Sequence, residues 1–128
     1  MFGNEEKIRY KIVEFAKTQI GKPYVYGATG NNSFDCSSFV QYVVKRTLGI
    51  TIPRVSAEQS VFKPKLHNNI KKGDLLFFET LGKGKISHVG MYIGNRQFIH
   101  ASSKSKRVIV SDFTGFYQDK FRWAVSVI

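Results

Sequence analysis

The sequence is short of cysteine, of acidic residues and of long apolar runs, and each shortage closes off a class of protein. One cysteine among 128 residues rules out an internal disulfide; it fits a reducing compartment, and equally an exported enzyme that needs its thiol free. No stretch approaches the roughly 18 uncharged apolar residues of a membrane-crossing helix, so no transmembrane segment is expected. Asp and Glu number 9 against 20 Lys and Arg, a formal net charge of +11, which implies attraction to anionic partners such as nucleic acid, anionic lipid or cell-wall polymer. Composition does not choose among these. The basic residues run from Lys7 to Arg122 in short clusters, Lys63/Lys65, Lys71/Lys72, Lys83/Lys85 and Lys104/Lys106/Arg107, and a solvated surface that aids solubility accounts for them as well. Met1 to Lys7 lack the basic flank and apolar run of a secretory signal: either the chain is not exported by that route, or its start has been trimmed.

What is present reads as one domain, residues 1–128, with no internal repeat or low-complexity tract. From Asn4 to Ile20 the apolar positions Ile8, Ile12, Phe15, Ala16 and Ile20 recur at helical spacing, with Asn4 as N-cap, and Gly21 before Lys22-Pro23 ends the helix. A turn-rich loop, Tyr24 to Ser33, leads to a second periodic stretch from Asp35 to Leu48, closed by Gly49. Pro53 keeps Ile50 to Ser56 out of a central strand, and Ser56 is placed to cap one helical turn through Val61. His67 lies in a polar loop. After Gly73-Asp74 the pattern turns to strands: Leu75 to Phe78, His88 to Ile93, Gln97 to Ala101, Val108 to Val110 and Phe121 to Ile128. Helices followed by consecutive strands give an α+β fold with N-terminal helices packed on a mostly antiparallel sheet of five to six strands.

The single cysteine, Cys36, falls in the first turn of the second helix, with Asp35 at the N-cap. Unpaired N–H groups and the helix dipole there favour a thiolate, the form that acts as nucleophile. A lone cysteine is more often a small buried apolar residue than a catalyst. A cysteine nucleophile needs a base and a third group to orient it, and His88 and His100 lie on two strands expected to form a hairpin around Gly94-Asn95. If those two residues make the loop, residue 88 faces 101 and the two rings fall on opposite faces; a one-residue bulge or a longer loop puts both on one face. The helix carrying Cys36 could then pack on that face. His88 would share the thiol proton in a thiolate–imidazolium pair reactive near neutral pH, and His100 would fix its tautomer. The backbone N–H of Cys36 is a candidate oxyanion donor. Cys36, His88 and His100 could instead be unrelated core residues or three ligands of a zinc ion.

Six blocks in order, Pro23-Tyr24-Val25-Tyr26-Gly27, Phe34-Asp35-Cys36-Ser37-Ser38-Phe39-Val40, Pro53-Arg54-Val55-Ser56-Ala57-Glu58-Gln59, Lys72-Gly73-Asp74-Leu75-Leu76-Phe77-Phe78, Ser87-His88-Val89-Gly90-Met91-Tyr92-Ile93-Gly94 and Phe98-Ile99-His100-Ala101-Ser102, resemble the NlpC-type cell-wall peptidases, papain-like cysteine peptidases of bacterial peptidoglycan. The resemblance runs from Ile20 to about Ser111. It implies a papain-like fold with Cys36 as nucleophile, His88 as base and His100 as orienting residue. It also implies that Tyr24 reaches toward the thiol, and that Asp35, Ser37 and Ser56 line the pocket for the substrate's free amine or nearby polar groups. Local capping explains Asp35, Ser37 and Ser56 too. Tyr26 stands where many relatives have tryptophan, and Ala28 and Ser38 where glycine is usual.

The resemblance implies hydrolysis of a stem-peptide bond of peptidoglycan, between D-glutamate and the following diamino acid, through a thioester acyl-enzyme. It implies action at the bacterial cell wall by a monomer with no cofactor, metal or nucleic acid, and the positive charge adds anionic wall polymers as expected further partners. An amidase or acyltransferase on another substrate, and a basic binding module with an inert cysteine, are the alternatives.

Overall fold

The fold is that of a computed structural model, which describes residues 3–128; of the Met1 to Lys7 stretch read above for a signal, Met1 and Phe2 lie outside the described residues. Ile12, Val13 and Ala16 give Asn4–Lys17 (α1) its buried face, joined by the polar Arg9. Gly3 rather than Asn4 holds the N-cap position, without a side-chain cap. The helix stops at Lys17, short of Ile20. Thr29–Gly30 (β1) and Ser33–Phe34 (β2) then form a small antiparallel hairpin that leads into Cys36–Leu48 (α2).

α2 starts where it does because Asp35 and Ser38 cap it reciprocally. The Ser38 N–H donates to Asp35 Oδ1 at 2.8 Å, and the Asp35 N–H to Ser38 Oγ at 2.9 Å, so two otherwise unpaired donors of the first turn are satisfied. Gly49, left-handed at φ 72°, ends the helix. Ser56–Gln59 (α3) is a single turn whose N-cap is Val55, so Ser56 opens the turn rather than capping it.

Leu75–Phe78 (β3), His88–Gly94 (β4), Gln97–Ser102 (β5), Arg107–Asp112 (β6) and Phe121–Val125 (β7) form one antiparallel sheet in the order β6-β5-β4-β3-β7. A short helix, Gly115–Lys120 (α4), sits before β7. Alternation divides the sheet. Leu75, Phe77, Val89, Met91, Ile99, Ala101, Val108 and Val125 pack with Ile12, Ala16, Phe39, Val40, Val43 and Val44 of the two long helices. Leu76, Phe78, Phe98 and Ala124 face the other way, against Leu66, Tyr92, Phe113, Tyr117 and Phe121. Each fully buried Phe or Val of α2 contributes about 1.5–3 kcal/mol, which fixes α2 to one face and hence the place of its first turn.

The β4–β5 hairpin sets the register that matters most. Its two-residue loop is Asn95-Arg96, both left-handed at φ 53° and 56°, a type I′ turn one residue later than expected. That loop alone would bring Met91 opposite His100. Ile93, however, is an extra residue: Gly94 pairs with Gln97 and Tyr92 with Phe98. The bulge leaves Gly90 across from His100 and places His88 diagonally beside it on the same face.

Candidate active site

The two histidines meet. His88 Nε2 and His100 Nδ1 are 2.7 Å apart, with the rings edge to face. They lie on the aromatic side of the sheet, near Phe78, Phe98 and Tyr117, opposite the face that α2 covers. Cys36 therefore does not come down onto the histidine-bearing face. Its thiol lies instead at the end of the sheet where β4 begins: His88 is the first residue of that strand, and the N–H of the next residue, Val89, favours the thiolate. Among the described residues no hydrogen bond joins the thiol to the His88 ring; such contacts are often long before substrate arrives.

The electrostatics differ from the simple helix-start expectation. Burial, and then the charge of Asp35, push the Cys36 thiol up to about 11, against the backbone N–H groups of Val89, Ser37 and Cys36 itself. Burial pushes His88 down to about 4, and burial together with the charge of His88 lowers His100. Desolvation disfavours the charged form of each group, and so favours a neutral thiol and a neutral imidazole over a preformed ion pair. His88 Nε2 is taken by His100, so Nδ1 is the nitrogen left to accept a proton. The facing nitrogens also argue against a shared metal ion, and among the described residues no group of three metal-ligating side chains forms.

A second cluster surrounds Asp35. Arg54 grips its carboxylate with both nitrogens, Nη2 to Oδ2 at 2.8 Å and Nη1 to Oδ1 at 3.2 Å, and also reaches Ser37 Oγ at 2.8 Å and the Ala28 carbonyl at 3.0 Å. Burial raises the Asp35 carboxyl, but Arg54 and the Ser38 N–H outweigh it and hold the group below its ordinary value. Tyr24 is close to both clusters: burial raises its hydroxyl, and the charges of Cys36 and Asp35 add to the effect. Ser56 is half-buried at the start of α3, and among the described residues no hydrogen bond links its side chain to Asp35, Ser37 or Tyr24.

A sequence profile of the NlpC/P60 family matches residues 21–127, which takes in the cysteine, both histidines and the Asp35 cluster. The chain belongs to the NlpC/P60 family. Among curated relatives it is similar to the gamma-DL-glutamyl hydrolase of Bacillus subtilis, 43% identical over 102 residues, covering 78% of this chain and 24% of that protein. It is also similar to the murein DD-endopeptidase MepH of Escherichia coli, 37% identical, covering 77% of this chain and 38% of the relative. The chain thus spans well under half the length of these relatives. Of solved structures, NlpC2 from Trichomonas vaginalis superposes with a TM-score of 0.85 at 31% identity, over 93% of this chain and 46% of that one. The NlpC/p60 domain of the peptidoglycan hydrolase SagA superposes at 0.81 and 33% identity, over 93% of this chain and 98% of that domain. The papain-like α+β architecture expected from the sequence is the one these neighbours share.

In this NlpC/P60 chain the structure adds residues that the sequence reading gave no role. Arg54 is the counterion of Asp35. Gln59, fully buried, donates to the carbonyls of Ser37 at 3.0 Å and Pro53 at 2.8 Å, tying α3 to the first turn of α2. Ser111 Oγ is 2.8 Å from His100 Nε2, and Tyr117 lies 29° from parallel to His88 with ring centroids 6.3 Å apart. Only Arg54 carried a signal, as the first charged residue after Pro53.

Proposed function

We propose that this domain is a cysteine peptidase that hydrolyses a peptide bond in the peptidoglycan stem, between D-glutamate and the following diamino acid. The observation that carries the reading is the His88–His100 pair at the head of β4, beside the Val89 N–H that favours the Cys36 thiolate at a capped helix start. Relatives named as a gamma-DL-glutamyl hydrolase and as a gamma-D-glutamyl-L-lysine dipeptidyl-peptidase support the choice of bond.

Cys36 Sγ attacks the carbonyl carbon as His88 Nδ1 takes the thiol proton, a general-base step suited to a neutral resting pair. The backbone N–H at the start of α2 donates to the oxyanion. The carbon–nitrogen bond then breaks, the leaving amine takes the proton from His88, and a thioester remains. Water attacks the thioester, giving its proton to His88; the carboxylate product leaves and the thiol is restored. Tyr24, Asp35, Ser37 and Ser56 hold the substrate's free amine and adjoining polar groups, with Arg54 keeping the Asp35 carboxylate ionised and fixed. The net charge of +11 favours residence on anionic wall polymers, and the domain works at the cell wall as a monomer without a cofactor.

Digesting purified sacculi with the wild type and with Cys36→Ala, followed by mass spectrometry of the fragments, tests this. New D-glutamyl termini from the wild type alone are expected. Equal products from both proteins would sink the proposal, and cleavage only at cross-links would move the bond to that named for the DD-endopeptidase relative.

A further inference from the structure

His88, His100 and Ser111 stand on three adjacent strands and make one oblique row across the aromatic face of the sheet. On β5 and β6, Phe98 pairs with Ser111 and His100 with Ile109, so Ser111 is the diagonal neighbour of His100, as His88 is on the opposite side. The row is bonded end to end, 2.7 Å between His88 Nε2 and His100 Nδ1 and 2.8 Å between His100 Nε2 and Ser111 Oγ. Its middle member is fully buried, so His100 has no solvent to satisfy a nitrogen left without a partner.

We infer that Ser111 is a positioning residue that sets the tautomers of both rings, accepting the His100 Nε2–H so that His88 presents a bare Nδ1 to the Cys36 thiol. The inference rests on the function proposed above. Two proton arrangements satisfy the row. In the first, His88 carries Nε2–H and donates to His100 Nδ1, and His100 carries Nε2–H and donates to Ser111; His88 Nδ1 is then a free base. In the second, every proton shifts along the row: Ser111 donates to His100, His100 Nδ1–H donates to His88 Nε2, and His88 Nδ1 carries a proton and cannot accept the thiol's. Without the hydroxyl the first arrangement buries an unpaired N–H and the second only an unpaired acceptor, and orphaned buried N–H groups are the more strongly avoided of the two. Removing the hydroxyl therefore tips the rings toward the inactive arrangement, while keeping it on a bulkier side chain does not.

Ring nitrogen NMR on uniformly 15N-labelled protein at neutral pH reads the tautomers directly, apart from any activity. The wild type and Ser111→Thr are expected to show Nε2–H at both His88 and His100, and Ser111→Ala to show Nδ1–H at both. On a purified D-glutamyl stem peptide, Ser111→Ala should lower kcat about three- to tenfold, the range corresponding to one net hydrogen bond, with KM unchanged, and Ser111→Thr should retain the wild-type kcat. Nδ1–H at His88 in the wild type, or tautomers unmoved by Ser111→Ala, would overturn the role of Ser111 while leaving the proposed peptidase standing. Cys36→Ala with full activity would overturn the peptidase reading and leave the tautomer result to judge the row alone.

Discussion

The state of the resting thiol is the most exposed consequence of this geometry, and alkylation measures it. A thiol at about 11 is ionised in about one molecule in 10,000 at pH 7, against roughly 3% for an ordinary thiol near 8.5. Iodoacetamide should therefore label Cys36 about 300-fold more slowly than free cysteine at pH 7, with the rate still climbing at pH 9. An internal proton transfer to His88 does not rescue the thiolate. With the thiol near 11 and the ring near 4, transfer runs uphill by about seven pK units, or about 10 kcal/mol. Two unit charges 4 Å apart at an effective dielectric of 20 return only about 4 kcal/mol. His88→Ala should consequently change the labelling rate little, although it should abolish hydrolysis. A labelling profile with a midpoint below pH 7, lost in His88→Ala, would refute the argument and establish a preformed thiolate–imidazolium pair.

Three further outcomes follow from the packing. Because burial holds the His88 ring near 4 against about 6.5 in an unfolded chain, the unfolded state takes up the proton first. Stability is then full above about pH 6.5 and falls toward pH 4, His88 alone accounting for about 3 kcal/mol and the lowered His100 adding to the loss. Urea midpoints at pH 7.5 and 4.5 test this, and equal values would contradict it. Arg9 donates to the buried Asp74 at 2.8 Å and to the Lys72 carbonyl at 2.9 Å. Arg9→Met should cost about 3–5 kcal/mol in urea unfolding by leaving that carboxylate without its counterion, and adding Asp74→Asn should recover part of the loss. A Cβ on Gly90 would come within 2.6 Å of Phe98 Cδ2 and 3.1 Å of His100 Cβ. Gly90→Ala should cost about 1–3 kcal/mol and, by moving His100 off His88, lower hydrolysis of stem peptide more than tenfold in protein that circular dichroism reports as folded.

The elements built from long periodic or alternating stretches were legible in the sequence. α2 and its cap could be read because an Asp at the start of an apolar helical repeat marks the N-cap, and the five strands because Leu75 to Phe78 is a continuous apolar run, Val108 to Val110 is β-branched, and the other three carry alternating or one-faced apolar residues. β1 and β2 are two residues each and α4 is six, too short for any period to emerge. The turn register was missed by one because Arg96 occupies a left-handed position that sequence rules reserve for Gly, Asn or Asp. Arg54 and Asp35 are 19 residues apart, and only the path of the intervening loops joins them. Ser111 lies just past the Val108 to Val110 stretch read as a strand, and only the β5–β6 register shows that it is diagonal to His100. The upward shift of the thiol depends on burial by residues distant in the chain, whereas the sequence displays only the helix start, which pulls the other way.

The surplus residue at Ile93 makes the hairpin unequal in its tolerance of length changes. Deleting Ile93 alone would turn the bulge into an unbroken ladder and leave Tyr92 beside Phe98, so the two imidazoles would keep their parity. Deleting any one residue from Val89 to Met91 would reverse that parity for His88, sending the ring through the sheet toward the helices. Within this strand the count of residues between ring and turn is thus odd or even by necessity, and Ile93 is the one place where a residue can be lost without changing what faces what. Natural length variation in this hairpin is expected to concentrate there, and outside it in the exposed β3–β4 loop from Leu81 to Lys85, where chain can be added without any strand changing step.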